Sequence, residues 1–257
     1  MAVIIIKNKK RLASKRDNQG DTMATNQKQD RVPTGIPGFD KLVEGGFVKG
    51  SVNLISGGTG TGKTIFGMQY LHNGALKFNE AGLLISFEEN INSLKLDAEA
   101  MGMDFDELER ERKCEIISFK PFNNPSMMSD LTGMIKKLNI KRIVIDSISV
   151  YTMSFNNDMF KIRKEIYNLC DLLESLGCTS LLTAEMVGEV SLDIQGSGGA
   201  LSRDGIVEFV SDSVITVHNS GIGGEGDRAI RILKMRRTNH EKAPTPMRIT
   251  KKGIEIL

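Results

Sequence analysis

Short apolar runs alternate with amphipathic stretches along most of the chain. Runs of apolar or β-branched residues predict buried strands, and apolar residues spaced three and four apart predict helices. The predicted strands are 52–55, 82–87, 114–119, 142–147 and 179–184. The predicted helices begin at Ile65 and at about Ile91, with Asn90 as a cap, and span 104–112, 127–138 and 158–176. Strands that alternate with helices predict an α/β fold with a twisted, mostly parallel central sheet flanked by helices.

Two further segments complete the expected architecture. Residues 213–218 and 229–235 read as strands joined through the glycine-rich segment 221–226, which predicts a C-terminal antiparallel β-hairpin. Near the other end, residues 34–42 and the following Gly45-Gly46-Phe47 predict a turn, a short helix and a second turn. Their position just ahead of the first strand suggests a lid or a packing element.

The first 30 residues differ in character from the rest. They are polar and basic without a period, which predicts a disordered tail before a single domain at 31–257. The apolar piece 3–6 is shorter than the ~7 residues of a signal-peptide core, and its basic cluster follows it, so secretion is not expected. The alternative is a basic arm that touches nucleic acid.

Composition narrows the class of protein. A net charge of +2 over 257 residues does not make the whole molecule a polyanion binder. The three cysteines form no C-x-x-C pair and sit in apolar stretches, as expected of core residues in a reducing cytoplasm. No apolar run approaches the ~18 residues of a membrane span. We therefore expect a cytoplasmic protein.

Residues 57–64 match the phosphate-loop pattern G-x-x-x-x-G-K-[ST], between a predicted strand and a predicted helix. Glycines allow backbone N–H groups to approach phosphate oxygens, Lys63 supplies a positive charge, and Thr64 supplies a hydroxyl to Mg²⁺. ATP and Mg²⁺ are the expected ligands. The predicted nucleotide-binding residues are Gly57, Gly58, Thr59, Gly60, Thr61, Gly62, Lys63, Thr64 and Ile65.

Carboxylates follow several of the predicted strands, where parallel sheets bind ligands. Glu88 and Glu89 follow the strand 82–87, and we predict Glu88 as the base that activates the attacking water, with Glu89 and Lys63 in the catalytic set. The alternative makes both glutamates first-turn charges of the helix capped by Asn90. Asp146 ends another strand and is predicted to reach Mg²⁺ together with Thr64. Glu185 is a candidate sensor of the γ-phosphate.

The chain resembles the KaiC-like ATPases of the RecA superfamily, of the single-domain archaeal type, over residues 31–257. The resemblance rests on the phosphate loop and on the motifs at 34–40, 45–46, 87–89, 145–147, 209–212 and 234–240. It implies a RecA-like P-loop fold, a slow regulatory ATPase, and Glu88 as the catalytic carboxylate. It also implies a homo-oligomeric ring, expected to be a hexamer, in which four residues reach the neighbouring subunit's ATP. These are Lys234, Arg236, Thr238 and His240.

Three departures from the family pattern matter. KaiC carries two such domains in tandem and this chain has one, so a clock function does not follow. Glu208-Phe209 stands where a phosphorylated Ser-Thr pair would be, which predicts no autophosphorylation. Lys251 stands where relatives usually have aspartate, which affects the contacts expected near adenine.

The alternative from another functional class is a RecA-superfamily recombinase paralogue that binds single-stranded DNA in DNA repair. The basic tail and the arginines of the predicted hairpin favour it. The sequence lacks an N-terminal helix-hairpin-helix module and a filament-forming F-x-x-A segment, which weighs against it. No element for binding a protein substrate is visible, so a protein kinase is not supported. The arginines in question are Arg228, Arg231, Arg236 and Arg237.

Overall fold

The computed structural model describes residues 29–120, 127–186, 201–221 and 227–257. The predicted tail lies outside these residues apart from its last two positions, and so does most of the segment predicted to join the hairpin strands. Within the described part, nine strands form one sheet, and β1 (Arg31–Val32) pairs with β2 (Phe47–Val48) beside it. The nine strands are β3 (Val52–Gly57), β4 (Gly82–Ser86), β5 (Cys114–Ser118), β6 (Arg142–Asp146), β7 (Thr179–Glu185), β8 (Ser213–Asn219), β9 (Arg228–Met235), β10 (Thr245–Thr250) and β11 (Gly253–Ile256).

The strand order is β11-β10-β9-β8-β3-β7-β6-β4-β5. Strands β8, β3, β7, β6, β4 and β5 are parallel, and β9, β10 and β11 extend the sheet in antiparallel fashion. This arrangement confirms the predicted mostly parallel sheet with an antiparallel C-terminal hairpin. Because β8 pairs with β3, the hairpin belongs to the main sheet.

Helices cover both faces of the sheet. They are α1 (Phe39–Leu42), α2 (Lys63–Lys77), α3 (Ile91–Glu99), α4 (Phe105–Arg110), α5 (Met127–Leu138), α6 (Ile148–Met153), α7 (Met159–Ser175) and α8 (Val207–Val210). One core cluster contains apolar residues of α1 to α4, and the other contains those of α5 to α8. Asn90, Asp104 and Asp158 cap α3, α4 and α7 by accepting hydrogen bonds from backbone N–H groups, which fixes where these helices begin.

Every strand and helix predicted after residue 50 is present, with ends displaced by at most two residues. The sequence patterns did not predict α6, α8, or the strands β1, β2, β10 and β11. Helices α6 and α8 have 6 and 4 residues, too few to show a helical period. The three cysteines are buried, as expected. Across the described ranges, the helices are all too short or too polar to cross a bilayer.

The segment before β3 is a packing element. The carboxylate of Asp40 accepts hydrogen bonds from the N–H of Thr34 (2.8 Å), its hydroxyl (2.7 Å) and the N–H of Gly35 (2.9 Å), which closes the first turn. The ring of Phe39 is fully buried and packs edge-on against Phe47 and Phe66. Of the two predicted roles, the structure supports packing, because Phe39 attaches this segment to the phosphate-loop helix α2.

A close contact between α2 and β6 gives a testable prediction about stability. The buried guanidinium of Arg142 donates to Glu80 Oε2 at 2.6 Å, and a Cβ added at Gly74 would lie 2.4 Å from Arg142 Cδ. We expect Gly74→Ala to lower the free energy of unfolding by ~1–3 kcal/mol through overpacking. A Cβ added at Gly133, in α5, would have no other atom within 4 Å. Gly133→Ala should therefore raise the free energy of unfolding by ~1 kcal/mol through helix propensity.

Urea unfolding followed by circular dichroism measures both variants against the wild type. Equal free energies of unfolding for Gly74→Ala and Gly133→Ala would contradict this account of the α2–β6 contact.

Candidate nucleotide-binding site

The phosphate loop connects β3 to α2 at the carboxyl edge of the parallel strands. Gly60 and Gly62 have φ values of 71° and 103°, in the left-handed region that glycine adopts without strain. A Cβ at Gly57 would lie 2.5 Å from the carbonyl oxygen of Val217 in the neighbouring strand. The glycines therefore allow both the turn and the close approach of β8 behind it.

Lys63 is held by the loop that precedes it. Its Nζ donates hydrogen bonds to the carbonyl oxygens of Gly57 and Gly58, both at 2.8 Å. Burial lowers the pKa of Lys63, while the carboxylates of Asp146, Glu185 and Glu88 act in the opposite direction. The ammonium group of Lys63 thus lies at the loop among acidic groups. A bound triphosphate would add further negative charge beside it and would stabilise the charged ammonium against the effect of burial.

Thr64 and Asp146 are brought together from distant parts of the sequence. The Thr64 hydroxyl donates to Asp146 Oδ2 at 2.8 Å, and Asp146 Oδ1 accepts a short hydrogen bond from the Thr183 hydroxyl. Asp146 is 7% exposed, and the hydrogen bond from Thr183 fixes its orientation. Mg²⁺ is commonly bound by one or two protein oxygens together with substrate phosphates. A hydroxyl and a carboxylate at the end of the phosphate loop fit that ion.

Glu88 and Glu89 follow β4 at the same edge. The Ser86 hydroxyl donates to the Glu89 carbonyl at 2.7 Å and accepts from its N–H at 3.0 Å, which holds this turn. Burial, followed by the charges of Glu185 and Asp146, raises the pKa of Glu88, whereas Lys63 lowers it. Helix α3 begins at Ile91 with Asn90 as its cap, so Glu88 and Glu89 lie just before the helix and outside its first turn.

Glu185 ends β7 beside the phosphate loop. It is in register with Gly57 in the parallel pairing of β3 and β7. Its N–H donates to the Ser149 hydroxyl in α6 at 2.9 Å, which links the end of β7 to the residues after Asp146. Glu185 therefore lies with Glu88 and Asp146 around Lys63, as the strand-end argument predicts.

Arg228 contacts the phosphate loop, and the sequence did not predict this contact. Its Nη1 donates to the carbonyl oxygen of Gly60 at 2.7 Å from the start of β9. Sequence analysis identified Arg228 only as a cation of the predicted hairpin, because the register of β9 against its neighbours cannot be read from composition. Two other arginines of that group, Arg236 and Arg237, lie 3.6 Å and 3.3 Å from Asp212 Oδ1.

The segment 234–240 lies away from this site. Lys234 Nζ donates to the carbonyl oxygens of Ser211 at 2.7 Å and Glu208 at 3.3 Å, and burial lowers its pKa. The hydroxyl of Thr238 accepts from Arg31 at 2.7 Å. His240 Nδ1 lies 2.8 Å from the Glu241 carbonyl oxygen.

The position of Arg236 relative to β3 shows how far this segment is from its own phosphate loop. The N–H of Arg236 donates to the Asp212 carbonyl, and the N–H of Asp212 donates to the Val52 carbonyl, at 2.9 Å and 2.8 Å. Arg236 is thus attached to the first residue of β3, whereas Gly57 is the last. Five residue steps of a strand correspond to roughly 17 Å. The structure assembles the loop with Glu88, Asp146 and Glu185, and does not bring Lys234 or Arg236 to them within one chain.

Comparison with known proteins gives a consistent match. The family model described as "ATPase: KaiC" matches residues 32–257. The circadian clock oscillator protein KaiC of Parasynechococcus marenigrum (strain WH8102) is 34% identical over 243 residues, covering 91% of this chain and 46% of that protein. KaiC of Synechococcus elongatus is 32% identical over 236 residues, covering 88% and 44%. The chain therefore spans less than half the length of these clock proteins.

A solved structure matches the whole fold. The crystal structure of the KaiC-like protein PH0186 from Pyrococcus horikoshii OT3 has a TM-score of 0.78 and 35% sequence identity. The match covers 89% of this chain and 99% of that one. It confirms the predicted RecA-like fold class, and these matches give no support to the recombinase alternative.

Proposed function

The chain belongs to the KaiC family of ATPases of the RecA superfamily, and on that premise we propose that it hydrolyses Mg²⁺-bound ATP between the subunits of a homo-oligomeric ring, expected to be a hexamer. The proposed role is regulatory, with slow turnover. Three buried cysteines fit a reducing compartment, and we propose a cytoplasmic location.

One observation carries this proposal. The phosphate loop and the segment 234–240 lie at opposite ends of β3, so a single chain cannot place Arg236 on its own triphosphate. The side chain of Arg236 lies 3.6 Å from Asp212 Oδ1 and is 52% exposed, so it is accessible to another copy. A head-to-tail interface that repeats by rotation closes into a ring and brings one copy's loop to the next copy's segment.

Each group then has a role in phosphoryl transfer. The loop amides and Lys63 bind the phosphates, and Thr64 with Asp146 would hold Mg²⁺. When bound, the ion neutralises charge on the phosphate oxygens. Glu88 orients and deprotonates the attacking water, and Glu89 supports the turn that positions it. From the neighbouring subunit, Lys234 and Arg236 stabilise negative charge on the transferred group, with Thr238 and His240 beside them.

The mass of the particle in solution tests the proposal. We expect light scattering to show a ring, six times the mass of one chain, that forms or tightens with a non-hydrolysable ATP analogue and Mg²⁺. Samples without nucleotide and with ADP are the controls. A monomer under all three conditions would contradict a composite site.

Glu88 should set the acidic limb of the pH profile. Its pKa is raised by burial and by the carboxylates of Glu185 and Asp146. A general base acts only when deprotonated, so kcat should rise with pH through that pKa. Glu185→Gln removes one neighbouring negative charge and should move this limb to lower pH, whatever its effect on the maximal rate. Profiles of kcat against pH for the wild type and Glu185→Gln measure the shift. An acidic limb at the same pH in both would show that the charge of Glu185 does not act on the group that sets it.

The absence of the Ser-Thr pair at 208–209 supports the proposal that this chain does not phosphorylate itself there. Incubation with ATP followed by mass spectrometry of residues 207–213 tests this. A stable phosphate in that segment would overturn it.

A further inference from the structure

A polar pocket lies between helix α1 and the end of the segment 234–240, and we call it the α1 pocket. Its volume is about 350 Å³, within the range of small-molecule sites. Of the described residues in its wall, Leu42 is apolar and the others are polar or charged, so the pocket suits a charged ligand better than an apolar one. The lining residues are Lys41, Leu42, Asn239, His240, Glu241 and Lys242.

The two walls of the α1 pocket come from distant parts of the chain and are tied together. The N–H of Glu241 donates to the carbonyl oxygen of Leu42 at 2.9 Å, which joins the end of α1 to the residue after His240. Lys41 and His240 therefore line one space. His240 is one of the four residues proposed to reach the neighbouring subunit's ATP, so a ligand that meets His240 there also lies within the pocket that Lys41 lines.

The acidic side chains nearest to Lys41 in the sequence are already engaged. The carboxylate of Asp40 accepts the hydrogen bonds that close the turn at 34–35, and Glu44 pairs with Arg31 at 3.0 Å. The side chain of Lys41 is exposed, and the ion pairs formed within the described ranges do not include it. Its ammonium group is thus available to an anion that enters the pocket.

The charge of the α1 pocket favours such an anion. Lys41 and Lys242 contribute two positive charges, and Glu241 contributes one negative charge. The carboxylate of Glu241 accepts from the N–H groups of Ala243 at 3.0 Å and Lys242 at 2.8 Å, and these hydrogen bonds lower its pKa. Its negative charge is therefore directed in part to the backbone of its own turn. The described lining keeps a net positive charge, which attracts a polyanion such as a nucleotide.

We propose that Lys41 binds the phosphates of the neighbouring subunit's ATP from the α1 pocket, beside His240. The inference rests on the proposed function, because ATP held by another copy enters this pocket through the ring interface. Lysine places a compact charge at the end of a flexible stem, which suits a phosphate group whose position is set by other residues. Lys41 is thus a binding residue, and it adds to affinity for ATP and not to proton transfer.

Lys41→Ala should raise KM for ATP by about three- to tenfold, between the effects of an exposed ion pair and of a hydrogen bond to a charged group. The change in kcat should be smaller, because a charge that acts alike on bound ATP and on the transition state provides uniform binding. Lys41→Arg keeps the charge and should return KM to within about twofold of wild type. A purely structural role of Lys41 would not produce this separation of KM from kcat.

Lys49→Ala is the matched control. Lys49 is another exposed lysine ahead of β3, it lies outside the α1 pocket, and its Nζ is 3.8 Å from Asp30. We expect its KM to equal that of the wild type. An unchanged KM in Lys41→Ala, or an equal rise in Lys49→Ala, would overturn the assignment of Lys41.

Mixed rings test whether Lys41 acts across the interface. In rings formed from a Glu88→Gln chain and an Arg236→Ala chain, the proposed function allows turnover where the Arg236→Ala chain binds ATP and the Glu88→Gln chain supplies Arg236. Lys41→Ala is then added to one chain or to the other. We expect KM to rise when it is on the Glu88→Gln chain and to stay unchanged when it is on the Arg236→Ala chain.

The outcomes separate this inference from the proposed function. Turnover in the starting mixture with KM unchanged by Lys41→Ala on either chain overturns the role of Lys41 and leaves the shared ATP site standing. A rise of KM when Lys41→Ala is on the Arg236→Ala chain would mean that Lys41 acts on its own subunit's ATP, and would also overturn the inference. Mixed rings without turnover before Lys41 is changed would overturn both.

Discussion

Replacing Glu88 by glutamine should lower kcat for ATP hydrolysis by about 10²–10⁴-fold, the usual contribution of a general base. The amide keeps the shape of the side chain and cannot accept the proton of the attacking water. Binding of ATP should change little, because Lys63 and the loop glycines remain. Steady-state turnover, with nucleotide affinity measured separately, checks both parts.

Glu89→Gln is the matched control. The positive charge of Lys63 lowers the pKa of Glu88, whereas the pKa of Glu89 is raised by burial and by neighbouring carboxylates. The backbone of Glu89 is hydrogen-bonded to the Ser86 hydroxyl. We therefore expect a smaller loss of kcat in Glu89→Gln. A larger loss in Glu89→Gln would assign the base to that residue, and full turnover in Glu88→Gln would contradict the mechanism.

Arg236→Ala should lower kcat by about 10³-fold or more, the range found for arginines supplied by a partner to a transferring phosphoryl group. The loss arises because charge on the phosphate oxygens lacks its counter-charge in the transition state. Light scattering of the variant with the ATP analogue shows whether the ring persists. A ring of normal mass with low turnover places the defect in catalysis.

Arg237 offers a close comparison. Its side chain is 51% exposed, against 52% for Arg236, and both guanidinium groups approach the same oxygen of Asp212. Arg237→Ala should change kcat by only a few fold, since Arg237 is not one of the four residues of this segment that are proposed to reach the neighbouring subunit's ATP. Equal losses in the two variants would argue for a shared structural role of both arginines on Asp212.

The sequence predicted the parts of the site that depend on strand ends. Thr64 and Asp146 are 82 positions apart, yet a phosphate loop and a strand-terminal aspartate in a parallel sheet place them together, and the structure has them hydrogen-bonded. The same rule placed Glu88 and Glu185 at this edge. These predictions succeed because all parallel strands present their carboxyl ends at one edge.

Other features depend on register and on short elements. The contact of Arg228 with the Gly60 carbonyl follows from the pairing of β9 with β8. The register of this pairing places Arg228 at the edge of the sheet where the phosphate loop lies. Helix α8 is four residues long and carries Phe209 outward, and so short an element has no period to read. The antiparallel pair β10–β11 packs Ile249 and Ile254 against Gly62, a role visible only once the sheet order is known.

The stability of the phosphate-loop helix depends on such long-range contacts. The Gln69 side chain accepts from the Ile254 N–H at 2.7 Å and donates to its carbonyl at 3.1 Å. Helix α2 is thereby fixed to β11, at the far end of the sheet order. No local pattern around Gln69 indicates that its amide pairs with a backbone 185 residues away.

A mixture of the Glu88→Gln chain and the Arg236→Ala chain tests the central claim most directly. Each variant alone should be nearly inactive. In mixed rings, a chain with intact Glu88 can sit beside a chain with intact Arg236, and random mixing of equal amounts makes about a quarter of the head-to-tail interfaces complete. We predict recovery of about that fraction of wild-type turnover. Mixed rings, verified by native mass spectrometry, that show no recovered turnover would contradict an ATP site shared between subunits.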